Sequence, residues 1–123
     1  MAMIIQTIKG VVSNKFDIGQ SALTFGRTPD NQVQIDDLAV SNDHARITYE
    51  TDDKGKAAYF IEDLGSTNGS FVNEEKVVKQ RLHHKDVIRI GWNSFTFIDE
   101  NEISLEKTTR IKKSWIPGLY YSK

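Results

Sequence analysis

Apolar and polar residues alternate in short runs along most of the first hundred positions, and a period of two predicts β-strands. In His44-Ala-Arg-Ile-Thr-Tyr-Glu50, Ala45, Ile47 and Tyr49 fall on one face and Arg46, Thr48 and Glu50 on the other. Ile88 and Ile90 point together within Asp86–Gly91, with Arg89 turned away, and Phe95 and Phe97 repeat the pattern within Ser94–Ile98. Further strands are expected over Met3–Ile8, Ala22–Gly26, Gln32–Ile35, Ala57–Glu62, Ser70–Val72 and Lys76–Val78. Turn chemistry separates them: Thr-Pro-Asp-Asn at 28–31, Asp-Asp-Lys-Gly at 52–55 and Gly-Trp-Asn at 91–93. Many short strands at this spacing point to an all-β sandwich or barrel. No helix of three turns with an apolar face is expected, so helix-based DNA readers and doubly wound nucleotide folds lack their scaffold.

A chain of 123 residues and 14.0 kDa is long enough for one self-sufficient core. The absence of cysteine removes disulfides, thiol nucleophiles and cysteine-ligated metals, and fits a reducing compartment. No apolar run approaches the roughly 20 residues of a membrane span. The N-terminal MAMIIQTIKG also lacks the basic start and apolar stretch of a signal peptide. A soluble, cytoplasmic protein is therefore expected, with no membrane partner. The net charge of −1 conceals an asymmetry: five of the 16 basic residues lie within 107–123, where there is no carboxylate, so 11 face 17 acidic residues in the rest. An acidic body is poorly suited to nonspecific nucleic-acid binding, which depends on neutralising phosphates. Residues 1–102 are expected to form the domain, and 103–123 a basic then apolar C-terminal extension.

Three loops carry the candidate chemistry. Phe25-Gly26-Arg27 turns an arginine out of an apolar strand; Val40-Ser41-Asn42-Asp43-His44-Ala45 feeds the clearest strand; and Asp63-Leu64-Gly65-Ser66-Thr67-Asn68-Gly69-Ser70-Phe71 sets hydroxyls and an amide between glycines. A sandwich can gather all three at one end. The set would then offer a planar cation, hydroxyls, side-chain amides and glycine-freed backbone N–H groups, which suits a phosphate beside a peptide backbone.

In order and spacing, Gly26-Arg27, Ser41-x-x-His44, Ser66-Thr67-Asn68-Gly69 and Asn73, followed by Leu82-x-x-x-Asp86-x-Ile88-x-x-Gly91, closely resemble a forkhead-associated (FHA) domain over about residues 3–100. The resemblance implies an eleven-stranded β-sandwich whose apical loops bind phosphothreonine peptides without catalysis or cofactor. It implies that Arg27 grips phosphate or nearby peptide backbone, that Ser41 and Thr67 donate hydroxyls to the phosphate, and that Asn68 holds the ligand's main chain. Asn42 joins this set, at a position where many members carry Arg or Lys; without that cation, Arg27 is the only obvious positive group in the three loops. Gly26, His44, Gly65, Ser66, Gly69 and Asn73 are expected to support the site structurally. Lys85 and Ser70 stand where the family commonly has glycine and threonine. The implied partners are a Thr-phosphorylated protein and the Ser/Thr kinase that modifies it.

Other readings are weaker on physical grounds. Ser41, Asp43 and His44 are triad residue types, but neighbouring side chains diverge on a strand and no oxyanion hole is evident. The glycines around Ser66-Thr67-Asn68 open no helix with Gly-Lys-Ser/Thr, so they are not a P-loop. His83-His84 would face opposite ways on a strand, which disfavours a metal. Trp92 reads as a surface aromatic anchored at a turn. The main alternative is an FHA-like scaffold making phosphate-independent protein contacts. In the extension, Thr108 precedes Ile111 by three residues, which suggests head-to-tail self-association through phosphorylated Thr108.

Overall fold

The computed structural model describes residues 2–100 except 9, 20 and 52. Eleven strands run in order β1 (Ala2–Ile8), β2 (Val11–Ile18), β3 (Leu23–Gly26), β4 (Val33–Gln34), β5 (Ala45–Thr51), β6 (Ala57–Asp63), β7 (Ser70–Val72), β8 (Glu75–Val77), β9 (Lys79–Arg81), β10 (Val87–Ile90) and β11 (Asn93–Asp99). They form a six-stranded sheet, β2-β1-β11-β10-β7-β8, and a five-stranded sheet, β4-β3-β5-β6-β9. Pairing is antiparallel except between β3 and β4. The extension 103–123, including Thr108, lies outside the described residues.

The inward positions of the two sheets close on each other. Ile4, Phe95, Phe97, Ile88 and Ile90 from one sheet meet Phe25, Ile47 and Ile61 from the other, all essentially without solvent contact. Phe25 and Phe95 pack edge to face across the layer, with centroids 5.6 Å apart. Each such side chain contributes about 1.5–3 kcal/mol by leaving water. Every alternating segment named from the sequence is a strand in this sandwich.

Two strands lacked an alternation signal. Strand β2 is exposed along most of its length at the edge of its sheet, and β9 is exposed throughout, so neither needs an apolar face. Strands β8 and β9 lie in different sheets with only Val78 between them, so the chain crosses the sandwich there. Val78 is 79% exposed, but its carbonyl accepts from Asp63 N at 2.8 Å.

The β7–β8 turn has positive φ at Asn73 and Glu74, as a tight hairpin of matching twist requires. Lys85 also has positive φ, at 76°, which explains why glycine suits this position. A left-handed conformation disfavours any residue with a Cβ by about 1–2 kcal/mol, and the freer unfolded chain of glycine returns part of that. Lys85→Gly is expected to stabilise the domain by about 1 kcal/mol, measured as a higher midpoint in thermal or urea denaturation.

Candidate functional site

The register Phe25↔Ala45↔Asp63 aligns the end of β3, the start of β5 and the end of β6 in one row. Ser70 opens β7 opposite Ile90, the last residue of β10. The three candidate loops therefore emerge from the same end of the sandwich.

Gly26 is where the first two loops touch. A methyl group on its Cα would stand 2.0 Å from the Asn42 carbonyl oxygen and 2.4 Å from Asn31 Nδ2. Backbone bonds secure this approach: Arg27 N donates to Ser41 O at 3.0 Å, and Ile35 N donates to Gly26 O at 2.8 Å. Asn31, 8% exposed, reaches across with its Nδ2 to Asn42 O at 2.8 Å and to Thr28 Oγ1 at 3.1 Å.

His44 joins the second loop to the third. Its ring is fully buried; Nδ1 accepts from Ser41 N–H at 3.0 Å, so the proton resides on Nε2, which donates to Gly69 O at 2.8 Å. Its own backbone N donates to Phe25 O and its carbonyl accepts from Leu64 N. Both ring nitrogens are thus engaged, and it is the backbone of Ser41, not its hydroxyl, that meets the imidazole. The Ser–His contact needed for nucleophilic catalysis is not made.

Asp63 folds the third loop onto itself. Its Oδ2 accepts from Gly65 N and Ser66 N, and its Oδ1 from the Ser66 and Ser70 hydroxyls at 2.6 and 2.7 Å. Burial pushes the Asp63 carboxyl up, but the hydroxyls of Ser66 and Ser70 and the Ser66 N–H outweigh it and hold the group below its ordinary value. Ser66 Oγ also accepts from Gly69 N at 2.9 Å, and Gly65 and Gly69 have φ of 78° and 86°. Ser66, Gly65, Gly69 and His44 are therefore internal braces.

The remaining candidates, Arg27 and Ser41 half-buried and Asn42, Thr67 and Asn68 exposed, have bonding capacity to spare. Ser41 Oγ accepts from Thr67 N at 3.1 Å, so its own proton is free to donate. The Thr67 hydroxyl has no partner among the described residues. Asn68 Nδ2 donates to Ala39 O at 2.8 Å, leaving its second proton and its carbonyl oxygen available. Arg27 makes one long side-chain contact, Nη2 to Asn42 Oδ1 at 3.5 Å. A forked cation, two hydroxyls and an amide are therefore carried by neighbouring loops at one end of the sandwich, donor types able to hold a tetrahedral oxyanion and the peptide group beside it.

Asn73 does not belong to this cluster. It lies at the opposite end of β7, where its Nδ2 donates to Asp86 Oδ1 and its Oδ1 accepts from Val87 N, tying the β7–β8 turn to the start of β10. Its support of the site is indirect, through the sheet. His83 and His84 stand in the β9–β10 connection and not on a strand, and no group of three His, Asp or Glu side chains fit for a metal occurs among the described residues. Trp92 caps the β10–β11 turn with 88% of its surface exposed, its N–H donating to Asp37 Oδ2 at 3.3 Å.

Three bracing residues escaped the sequence reading: Asn31, Asp63 and Asp37. Asp63 and Asp37 each accept from backbone N–H groups two residues on, the Asx-turn habit that Asp-x-Gly-Ser and Asp-x-Ala could have signalled. Asn31 ends the Thr-Pro-Asp-Asn turn and gives no separate signal in the sequence.

A family model described as FHA domain matches residues 23–91. The glycogen accumulation regulator GarA of Mycobacterium tuberculosis is 32% identical over 85 residues, covering 69% of this chain and 49% of GarA. The oxoglutarate dehydrogenase inhibitor of Corynebacterium jeikeium is 33% identical over 86 residues, 70% of this chain and 56% of that protein. The chain thus spans about half the length of the curated relatives it matches. Among solved structures, Mycobacterium tuberculosis EmbR in complex with a low-affinity phosphopeptide superposes with a TM-score of 0.66 at 32% identity, over 79% of this chain and 24% of EmbR.

Two outcomes follow from these braces. Gly26→Ala forces backbone out of contact and is expected to lower stability by about 3 kcal/mol, read in urea denaturation. Asp63 has a depressed carboxyl, so its stabilisation is present above the ordinary value of 3.8 and fades as pH falls through the lower folded value. Asp63→Asn should be less stable than the native chain at pH 7, and the gap should narrow below about pH 3.8 in melts taken across pH.

Proposed function

The chain belongs to the FHA domain family, and from that premise we propose that its loop end captures phosphothreonine segments of partner proteins, in a reducing cytoplasm and under the control of a Ser/Thr kinase. The supporting observation is the set of unspent donors on Arg27, Ser41, Thr67 and Asn68, held together by a buried lattice of backbone and side-chain bonds. A phosphate brings about −1.5 to −2 charges and three strong acceptors. Each charge-assisted bond contributes roughly 1.5–3 kcal/mol, and two or three of them, less the ordering of the peptide, correspond to a micromolar complex of about −8 kcal/mol. Ser41 and Thr67 serve as hydroxyl donors, Arg27 as the cation that Asn42 orients, and Asn68 as the clamp on the ligand main chain. The role is binding without chemical turnover, with no cofactor.

Beside Asn68, a shallow pocket lined by Ala39, Phe71, Arg89, Gly91 and Trp92 offers apolar surface to a residue downstream of the phosphothreonine. Ala39 supplies no cation there and the Arg89 guanidinium is already paired with Glu74, so an aliphatic residue three positions on is favoured over aspartate. On the same reading, phosphorylated Thr108 of one copy is a ligand for the loop end of another; light scattering of the phosphorylated chain is expected to give oligomers that Arg27→Ala abolishes, and a monomer would overturn this.

Arg27→Ala and Ser41→Ala are each expected to abolish binding of a phosphothreonine peptide while moving stability by no more than about 1 kcal/mol, checked by titration alongside thermal melting. Unchanged affinity in both would overturn the reading, as would equal affinity for phosphorylated and plain peptide. Phosphothreonine should exceed phosphoserine by about fourfold, the equivalent of about 0.8 kcal/mol for one buried methyl-sized group.

A further inference from the structure

The three recognition loops supply one cation, Arg27, because position 42 is asparagine. The fold brings a second positive group to them from outside the loops. Lys76 lies on β8, opposite Phe71 of β7, and both side chains stand on the outer face of the six-stranded sheet. From there the lysine stem crosses Gly69, the residue after Asn68. A methyl group placed on Gly69 would stand 2.8 Å from Lys76 Cε, 3.4 Å from Cδ and 3.5 Å from Cγ. The ammonium is one bond beyond Cε and so sits beside the Asn68–Gly69 segment.

That ammonium is uncommitted among the described residues. Arg89, which shares this face, lies over the Phe71 ring at 4.2 Å and is paired with Glu74 at 3.0 Å. Lys79, three residues along, is paired with Glu50. Lys76 has no ion-pair partner among the described residues, and its side chain is exposed. Its stem is nevertheless directed, since Gly69 is buried, has φ of 86° and has no Cβ to deflect it. A lysine stem laid on apolar surface with its head in water is a stable arrangement.

We propose that Lys76 is a second anion-reading residue of this site: its ammonium takes a carboxylate or phosphate oxygen of the bound segment on the Gly69 side, opposite Arg27. The inference rests on the phosphopeptide reading above and goes beyond it, since it assigns the ligand a negative charge at this flank. Solvent-exposed pairs of this kind contribute modestly, so the effect to expect is about two- to fivefold in affinity, shrinking as salt is raised.

The test is fluorescence anisotropy of the full 123-residue chain with synthetic phosphothreonine peptides. One series is alanine-based, with isoleucine three residues after the phosphothreonine, and carries a single glutamate walked through the flanking positions. The matched series has glutamine at those positions, and unphosphorylated peptides serve as controls. Lys76→Met keeps the alkyl stem over Gly69 and removes the charge, whereas Lys76→Arg keeps the charge; melting curves confirm that both fold. If a glutamate is read, native protein prefers it to glutamine at one or more positions by two- to fivefold, Lys76→Met loses that preference, and Lys76→Arg retains it. If the phosphate itself is read, Lys76→Met weakens both phosphorylated series equally and Lys76→Arg restores them. Identical affinities of native and Lys76→Met proteins for every phosphopeptide at low salt overturn the proposal while leaving phosphothreonine binding intact. Failure of native protein to distinguish phosphorylated from plain peptide removes the phosphopeptide reading, and this proposal with it.

Discussion

A buried imidazole bonded at both ring nitrogens fixes the distance between the two loops that carry Ser41 and Thr67. His44 accepts from the Ser41 backbone at one ring nitrogen and donates to the Gly69 carbonyl at the other, with no contact with water. An unpaired buried polar group is expensive, so each loop can satisfy its backbone only when the ring lies between them. The bond from Thr67 N to Ser41 Oγ then closes the same gap at the surface. The positions of Ser41, Thr67 and Asn68 relative to one another are set by these few bonds, and loop length alone would not set them.

Around that bridge, polar groups divide into those already satisfied and those left open. Asp63 collects four donors and Asn31 reaches three acceptors, so both are spent on geometry. Gly26 lets two backbones approach more closely than a side chain allows. Arg27, Ser41, Thr67 and Asn68 keep donors without a partner among the described residues. This separation is the physical basis on which a site is preorganised, because bonds already made within the protein need no reordering for a ligand. The same bonds hold the His44 ring on the Ser41 backbone and not on its hydroxyl.

Charge is used sparingly. The residues before 107 are acidic on balance, so an anionic ligand is attracted only where cations are placed locally. Arg27 stands in the first loop, and the lysine beside Gly69 comes from a strand in the facing sheet. A strand-borne cation is positioned by the sheet and by the missing Cβ of a loop glycine, so it does not depend on the sequence of the loops.

Much of this was legible in the chain itself. Inward alternation at Ala45-x-Ile47, Ile88-x-Ile90 and Phe95-x-Phe97 has only one physical reading, because a strand buried on one face must alternate. The ordered residues Arg27, Ser41, Thr67 and Asn68 marked the loops that the fold gathers at one end. Strands β2 and β9 were invisible because they are exposed and need no apolar pattern, and their pairing is dictated by neighbours distant in sequence. Asn73 carries the same residue type as Asn68 five positions away, but only the direction of β7 places it at the other end of the sheet. The stem of Lys76 reaches Gly69 through the β7–β8 hairpin, and the paths of Asn31 to Asn42 and of Asp37 to Trp92 span separate elements. Residue type and spacing determine which groups can face water or a core; which of them meet is decided by sheet register, since hydrogen bonds of about 3 Å form only between atoms that the folded backbone has already brought together.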